Sequence, residues 1–404
     1  MGRRLACLIA LSTALLPASA AAAPDCPEET SAQPLLQGQG TLESVIVDPR
    51  GPLFFTNERS VLRLDRPGAE AVVVAEIEEP GGLAFDPAGN VIVGSGNSLQ
   101  NGSMGDATGP SSLIRVDPAT GAKEVYATGL SMGNGLVRGP DGAFYASNDG
   151  GFNIDRVADG KTQRGWARVQ SGNGLAIDTN GRWLYVAQTF KPAAIQQVDL
   201  RDPSKVTPYV EAAPEDVHAG LDGMDRDPAN QLFVTANGAG QVWRVAGAPP
   251  EICVVLRGLP GFPDGPSAVA VGKPGTPFPP ENLYVVAFNG TLTEIAKAAA
   301  PPRPDGFHGD PPLPQKVPLR LRVRPRVAVA GRRTRFRIVV EAFAGTGWIR
   351  APRATVSFVG RRVRTGRAGT ARVTRRFRKA RRHRLRAVWG AQRSPAVTLI
   401  VRRR

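Results

Sequence analysis

A short phrase that recurs along most of the chain constrains its fold more than any other feature. The phrase is clearest as NGLAID at residues 173–178, followed by WLYVAQ at residues 183–188. It contains a polar first residue, small or apolar residues, a turn that begins five residues later and a hydrophobic run that ends in a polar residue. The other five copies begin at Glu43, Gly81, Asn134, Asp222 and Ser267.

The spacing of these copies indicates one type of fold. Successive first positions are separated by 38, 53, 39, 49 and 45 residues. A period near forty with two short strands in each phrase is typical of β-propellers, whose blades are four-stranded sheets. Six copies therefore predict an all-β, six-bladed β-propeller over residues 24–300. The longest step contains a Gly- and Ser-rich insertion at residues 96–112, which is expected to be a lid over the mouth or a disordered loop.

The first 23 residues have the composition of a secretory signal. Arg3 and Arg4 precede an apolar run at residues 5–16 and a stretch of small residues at 18–23. This order predicts a signal peptide over residues 1–23, although a buried N-terminal helix would have a similar composition. The apolar run is too short to cross a bilayer. We therefore expect a secreted, extracellular protein.

Two cysteines remain after the predicted signal peptide. Cys26 lies beside the segment that should supply the outer strand of the last blade, and Cys253 lies in the outer-strand region of blade five. Export permits disulfide formation. We therefore predict a Cys26–Cys253 disulfide, which would close a very long loop and contribute about 4–5 kcal/mol on the chain-entropy model.

Charge divides the chain into two parts. Residues 1–300 carry a net charge of −10, whereas residues 301–404 carry 29 Lys and Arg against 3 Asp and Glu. Between the parts, residues 301–318 contain seven prolines and predict a stiff linker. Residues 319–404 alternate apolar residues with Arg, a pattern that predicts short antiparallel strands and an immunoglobulin-like β-sandwich.

The arginines of residues 319–404 exceed what solubility requires. They could form only a solvated face, but their number favours contact with an anionic cell-envelope polymer or lipid surface. Cell-envelope association through this domain is therefore expected. Nucleic acid is not an expected partner of an exported protein, and a monomer is expected.

The six first positions should form a ring around one mouth of the propeller, because the innermost strand of each blade lines the central axis. Glu43, Asn134, Asn173 and Asp222 present side-chain oxygens in that ring. Two carboxylates and two amide oxygens are suitable ligands for a hard divalent cation such as Ca²⁺. Alternatively, these polar residues only cap strand ends, since Asn-Gly and Asp-Gly are common turn signals.

The second strands end at the same mouth. Their polar last residues include Asn148, Gln188 and Asn237, which are candidates for substrate binding. His218 lies four residues before Asp222 and could assist proton transfer there, or it could be a solvated loop residue.

The phrases that begin at Glu43, Asn134, Asn173 and Asp222 resemble the regucalcin/gluconolactonase (senescence marker protein) family of six-bladed propellers and the related diisopropyl fluorophosphatases and paraoxonases. The resemblance covers roughly residues 40–295. It implies a catalytic Ca²⁺ or similar divalent ion held by Glu43, Asn134, Asn173 and Asp222.

Two positions depart from the family pattern. Where gluconolactonase-like members have a sugar-binding Arg, this sequence has Met132, which argues against an aldonolactone substrate. The related phosphatases hold a structural calcium through a residue like Asp225, but the expected His in blade six is Ala270 here. We therefore predict only the axial ion.

These observations predict a metal-dependent hydrolase for a lactone or similar ester, with Asp222 as general base or nucleophile and Glu43 mainly as a ligand. The alternative is a non-enzymatic binding scaffold that the basic domain attaches to the envelope. A lyase is a weaker third possibility, because such sites use His residues and His218 is the only one in the predicted blades.

Overall fold

The computed structural model describes residues 22–27, 30–107, 111–190, 192–299, 319–343, 348–351, 354–366, 369–389, 392–394 and 396–403. Within these ranges the chain is almost entirely β, with the short helix α1 (Leu99–Ser103) and the 3₁₀ turn η1 (Pro214–Asp216). Most of the predicted signal peptide and the whole predicted linker, residues 301–318, lie outside the described residues. No helix in the described ranges is long and apolar enough to cross a membrane.

Residues 31–296 form six four-stranded antiparallel sheets, as the repeat predicts. We call them blades one to six in chain order. Blade one has β2 (Val45–Val47), β3 (Leu53–Thr56), β4 (Ser60–Leu64) and β5 (Val72–Glu76); blade two has β6 (Leu83–Phe85), β7 (Val91–Ser95), β8 (Ser112–Val116) and β9 (Lys123–Thr128); blade three has β10 (Leu136–Arg138), β11 (Phe144–Ser147), β12 (Asn153–Ala158) and β13 (Lys161–Arg168). Blade four has β14 (Gly172–Ile177), β15 (Trp183–Gln188), β16 (Ala194–Asp199) and β17 (Asp202–Glu211); blade five has β18 (Leu221–Arg226), β19 (Leu232–Ala236), β20 (Gln241–Ala246) and β21 (Glu251–Leu256); blade six has β22 (Pro266–Val271), β23 (Leu283–Ala287), β24 (Leu292–Ala296) and β1 (Ser31–Leu36).

The six sheets form a closed ring. The first strands of neighbouring blades contact one another in order, and β22 of blade six returns to β2 of blade one. A separate hydrophobic cluster fills each of the six gaps between neighbouring blades. Both faces of the central strands of each blade are therefore covered. This is why second strands such as β3 and β7 are apolar at nearly every position.

The turn in each phrase begins where the sequence predicts it. In blades one, two, four and five it begins with Asp48, Asp86, Asp178 and Asp227. The carboxylate of each accepts hydrogen bonds from backbone N–H groups two to five residues later. This side-chain cap stabilises the tight connection from the first to the second strand.

Buried hydroxyl groups connect several blades near the mouth. Ser147 Oγ donates to the carbonyl of Asn173 at 2.6 Å, and Thr189 Oγ1 donates to Leu221 at 2.7 Å. Ser267 Oγ donates to Leu42 at 2.6 Å and so joins blade six to blade one. At one point between blades two and three the backbones are in direct contact, because a Cβ on Gly94 would lie 2.1 Å from the carbonyl oxygen of Gly133.

The N-terminal segment closes the ring, as predicted. Strand β1 pairs with β24 and completes blade six. Before it, Asp25 forms a parallel bridge to Val254 on the outer strand of blade five. The predicted disulfide between Cys26 and Cys253 is present, so this segment is attached to two blades.

No helix forms at residues 296–299, where the described part of the propeller ends. Ala296 belongs to β24, and Lys297 has a φ of +58°, which is incompatible with a right-handed helix. Strand β24 therefore ends in a turn at Lys297.

The described residues between 319 and 402 contain ten strands in two sheets. One sheet has β27 (Arg333–Phe343) at its centre, with β25 (Leu319–Arg324) on one side and β28 (Trp348–Arg350) and β31 (Thr370–Arg376) also paired with β27. The other sheet contains β26 (Val327–Val329), β34 (Val397–Arg402), β32 (Arg381–Trp389), β29 (Thr355–Phe358), β30 (Arg361–Arg364) and β33 (Gln392–Arg393). One hydrophobic cluster, which includes Phe336 and Phe358, contains side chains of both sheets.

Candidate active site

The inner strands bring the four predicted ligands to one cavity. Glu43, Asn134, Asn173 and Asp222 all line an axial cavity of about 350 Å³. Asn173 and Asp222 lie in β14 and β18, whereas Glu43 and Asn134 lie two residues before β2 and β10. The repeat places these positions at equivalent heights, so the polar residues gather at one mouth while Val, Leu and Ala line the channel behind them.

Glu43 is held in place from the neighbouring blade. Its Oε1 accepts a hydrogen bond of 2.8 Å from Nδ2 of Asn97, which lies in the insertion of blade two. Burial raises the pKa of Glu43 to about 7, and repulsion from Asp149 acts in the same direction, while the Asn97 bond opposes it. The Glu43 carboxyl group therefore holds its proton to higher pH than an exposed glutamate does.

Asp222 is the second acid of the mouth whose pKa is raised. Burial raises its pKa well above the ordinary value, and repulsion from Glu43 and Asp149 adds to this effect. Two groups keep its carboxylate oriented: the side chain of Asn173 hydrogen-bonds it, and Asn237 Nδ2 lies 3.5 Å from Oδ2. Asp222 is buried, so bulk water screens its charge only weakly.

Asp149 is the acid of the mouth that sequence reasoning missed. It follows Asn148 at the end of β11 and receives a hydrogen bond from the side chain of Asn134. Burial raises its pKa as well. The sequence could have indicated it, because the second strands are expected to end at this mouth. The prediction named the neighbouring residue, Asn148, instead.

The insertion of blade two covers this acidic end of the cavity. Helix α1 begins after Ser98, whose side chain accepts from the N–H of Asn101. Asp106 then ties the insertion to blade three, because its Oδ1 accepts from the backbone N–H groups of Phe152 and Asn153, both at 2.9 Å. Residues 96–107 of the insertion thus form a fixed cover. Residues 108–110 lie outside the described ranges.

Two glycines, Gly102 and Gly150, allow this cover to lie against blade three. A Cβ on Gly150 would lie 2.0 Å from the carbonyl oxygen of Gly102, so the two backbones are in direct contact. A Cβ on Gly102 would instead meet Asp149 Oδ1 at 3.9 Å and Met132 Cε at 3.8 Å. Helix α1 therefore lies over Asp149, and Met132 contributes an apolar group beside it.

The predicted substrate-binding amides have different positions. Asn148 donates to the carbonyl of Gly105 and accepts from the N–H of Gly150. Gln188 donates to Gln170 and accepts from Gln196, both at 2.8 Å. Both are buried and committed to internal hydrogen bonds, whereas Asn237 contacts Asp222. Their role in substrate binding stays a prediction, and the structure assigns Asn237 the clearest link to the site.

His218 is not brought to the cavity. It follows η1 on an exposed loop and does not line the axial cavity. The structure therefore gives it the position of the solvated loop residue, one of its two predicted states. At the other end of the channel, Asp225 accepts from the N–H of Val271 at 2.9 Å and lies 3.8 Å from Lys273 Nζ. Its charge thus has protein partners where the related phosphatases would use a calcium.

The residues of the mouth suit a hard cation by their chemistry. Within the described ranges, no three or more His, Cys, Asp or Glu side chains form a group that could hold a metal. A cation at the mouth would therefore depend on two carboxylates, Glu43 and Asp222, together with the amide oxygens of Asn134 and Asn173. This combination neutralises a divalent charge and supplies oxygen ligands only.

Comparison with solved structures supports the fold. A gluconolactonase from Xanthomonas campestris superimposes with a TM-score of 0.52 at 17% identity, covering 70% of this chain and 99% of that one. The calcium-binding protein regucalcin from Agrobacterium tumefaciens gives 0.51 at 19% identity, covering 67% and 93%. A luciferin-regenerating enzyme gives 0.50 at 14% identity, covering 66% and 95%.

The chain has the fold of the regucalcin and gluconolactonase propellers. By sequence, no protein-family model and no curated protein matches it. At these identities the comparison establishes the fold of the first part of the chain. It does not establish the chemistry of the mouth, which depends on the residues there.

Proposed function

We propose that this protein is a secreted, calcium-dependent hydrolase of lactones or related esters. The observation that carries the proposal is the pair of acids Glu43 and Asp222. Asp222 is buried and Glu43 is half-buried at the mouth of one cavity, they repel each other, and the pKa of each is raised. Burial of two like charges is costly unless a cation neutralises them.

Ca²⁺ or another divalent cation fits this set. Glu43 and Asp222 would hold it with their carboxylates, and Asn134 and Asn173 with their amide oxygens. When bound, the cation would act as a Lewis acid on the carbonyl oxygen of the substrate. Asn97 would keep Glu43 in the orientation of a ligand, because its amide already donates to Oε1.

Asp222 is the proposed general base or nucleophile. A carboxylate oxygen of Asp222 would accept the proton of the attacking water, or attack the carbonyl carbon itself. Asn237 would position this carboxylate from the second strand of the same blade. Helix α1 would limit the access of bulk water to the mouth.

The lining favours a compact substrate of low charge. Behind the acidic mouth, apolar side chains such as Val45, Leu136 and Val269 dominate the walls. Met132 is buried beside α1 and presents a thioether where a sugar-binding cation would be needed for a polyhydroxylated acid lactone. An apolar γ- or δ-lactone, or an aryl ester of similar size, therefore suits the cavity better than an aldonolactone.

We also infer that residues 1–23 are a cleaved signal peptide and that residues 319–404 form an immunoglobulin-like β-sandwich. The disulfide supports export, since such bonds persist in oxidising compartments. Two sheets that share one hydrophobic cluster support the sandwich. The domains would then be the propeller at 24–300, the linker at 301–318 and the basic domain.

The test uses the secreted protein with a panel of γ- and δ-lactones, phenyl acetate and a phosphotriester, with Ca²⁺ or EDTA. We expect hydrolysis that requires Ca²⁺. Asp222→Asn should lower kcat by about 10²–10⁴-fold. The matched control is Asp225→Asn, which changes a carboxylate three residues along the same strand and should retain most activity.

Two other outcomes would contradict the proposed hydrolase function. If Ca²⁺ raises the melting temperature but no substrate is turned over, the ring would hold calcium in a non-enzymatic scaffold. If Asp225→Asn reduces activity as strongly as Asp222→Asn, the reaction does not depend on the acidic mouth in particular. His218→Ala serves as a third variant, because an exposed residue outside the cavity should leave kcat unchanged.

A further inference from the structure

The basic C-terminal domain concentrates its charge on the outer faces of two sheets. Residues 319–404 contain 27 Lys and Arg and a single acid, Glu341. Alternation sends every second side chain inward: Leu321 and Val323 of β25 are buried, while Arg322 and Arg324 are exposed. The arginines therefore lie on the solvent side because the apolar residues occupy the shared core.

On the first sheet, arginines lie directly opposite one another. The register of β25, β27 and β31 places Arg324 opposite Arg337, and Arg337 opposite Arg372. A second pair, Arg333 and Arg376, lies further along the same two strands. Directly opposed like charges destabilise a sheet. This arrangement is thus unfavourable for the isolated domain, and an anionic partner would offset it.

Glu341 neutralises only one end of this sheet. It lies 2.9 Å from Arg320, 3.2 Å from Arg322 and 3.2 Å from Arg350. The remaining outward arginines have no carboxylate within ion-pair distance among the described residues. We call these six residues the arginine face: Arg324, Arg333, Arg335, Arg337, Arg372 and Arg376.

The outer face of the second sheet has a different pattern. There Ser357 separates Arg362 from Arg386 across three strands, and Arg384 lies opposite Thr398. None of these arginines directly opposes another in the described register. The two faces therefore carry similar residue types, but only the first aligns them in rows.

We propose that the arginine face binds a linear polyanion of the cell envelope, with phosphate or carboxylate groups repeated along the chain. Side chains on one face of a sheet recur about every 6.6–6.8 Å along a strand and about every 4.8 Å across strands. A polymer with one anionic group every 5–7 Å or so matches these rows. Guanidinium groups bind phosphate and carboxylate in a bidentate manner, which suits Arg better than Lys.

A bilayer is a poorer match for this face. Segments that lie at the membrane interface, such as amphipathic helices, insert Trp, Phe or Leu side chains. In the described part of the basic domain, the exposed large hydrophobic residues are Val327 and Val388, and neither lies on the strands of the arginine face. Val339, which does lie on that face, is buried, and it lies opposite Arg322 in the sheet.

The experiment measures binding of the full secreted chain to polyphosphate, polygalacturonate, duplex DNA and phosphatidylglycerol vesicles over a range of salt concentrations. The test variant is R324Q/R337Q/R372Q, and the control variant R362Q/R384Q/R386Q removes the same charge from the other sheet. We expect the test variant to bind the preferred polymer about 30- to 100-fold more weakly, with a salt slope lowered by about three. The control should lose only a few-fold.

If polyphosphate binds more tightly than polygalacturonate, the recognised group is phosphate. The reverse order identifies carboxylate. Equal losses in the two variants would overturn the proposal, because binding would then follow net charge alone. Tighter binding to vesicles or DNA than to either polymer would overturn the proposed partner. Melting temperatures of both variants establish that they are folded.

Discussion

The mouth of the propeller and the arginine face both place like charges side by side, but in opposite environments. Asp222 is buried and Glu43 is half-buried, and burial raises the pKa of each. Arg324 and Arg337 are exposed, so salt screens their repulsion over about 8–10 Å. Buried like charges need a compact ion held by fixed ligands, whereas exposed ones can be neutralised by a loosely held polymer.

Removal of calcium should give the largest effect. If the mouth binds Ca²⁺, a concentration of about 1,000 times Kd stabilises the protein by about 4 kcal/mol, so the melting temperature should rise strongly from EDTA to Ca²⁺. Asn173→Ala should remove most of this rise, because it deletes a ligand. Differential scanning calorimetry with both additions measures it.

Ser267→Ala is the control for that experiment. Ser267 has the equivalent ring position in blade six, but its hydroxyl joins blades six and one. The substitution should lower the melting temperature in both EDTA and Ca²⁺ and leave the difference between them intact. If both variants lose the difference, the stabilisation by calcium depends on an intact ring and not on the proposed ligands.

The pH dependence of the calcium-free protein should distinguish buried from exposed charges. The folded-state pKa of Glu43 is about 7, above its ordinary value of 4.5, so the folded protein binds more protons between these values. Stability in EDTA should therefore fall as pH rises from about 4.5 to 7. Urea unfolding at several pH values measures this fall.

Glu43→Gln should flatten that pH dependence, since the titrating group is gone. In excess Ca²⁺ the wild-type curve should also flatten or reverse, because the cation favours the ionised acids. A calcium-free protein that becomes more stable over this pH range would show that the two acids do not repel each other in the folded state.

Displacement of α1 should make the mouth more like an exposed surface. Gly150→Ala places a Cβ 2.0 Å from the Gly102 carbonyl oxygen, which forces the cover away at a cost of about 1–3 kcal/mol. Calcium affinity should fall and become more sensitive to salt. Gly102→Ala, on the other side of the same contact, meets only atoms at 3.8 and 3.9 Å and should be tolerated. Calcium titrations at two salt concentrations compare the variants.

Neutralising the arginine rows should give the smallest effect on stability. R324Q/R337Q/R372Q removes two directly opposed pairs, and each is expected to cost about 0.2–1 kcal/mol. The variant should therefore be slightly more stable than wild type at low salt, and the gain should vanish at high salt. A gain that persists at high salt would indicate a packing effect, and no gain would indicate that the arginines do not repel.

The periodic features of the chain were predictable from its sequence. The spacing of six phrases predicted six blades, and the turns begin at the expected residues, such as Asp48 and Asp178. The partner of Cys26 followed from the way propellers close. The axial position of the two acids Glu43 and Asp222 followed from the same repeat, because equivalent residues of a closed ring occupy equivalent heights.

The aperiodic features were not predictable. Asn97 and helix α1 belong to an insertion without a counterpart in other blades, so the repeat gives no indication of where they lie. Asn148 was the expected polar residue of its strand end, but the following residue, Asp149, interacts with the acidic mouth instead. The exposed position of His218 depends on the path of a loop, which sequence spacing does not determine.

The way β1 completes blade six has a consequence for how the chain is made. Synthesis begins at the N-terminus, so β1 exists long before its partner β24 is complete at Ala296. Until then the nascent protein is an open arc, and the apolar surfaces that will meet across blades five, six and one are uncovered. A chain truncated within blade six should therefore be a substrate for chaperones and aggregation, even with five intact sheets.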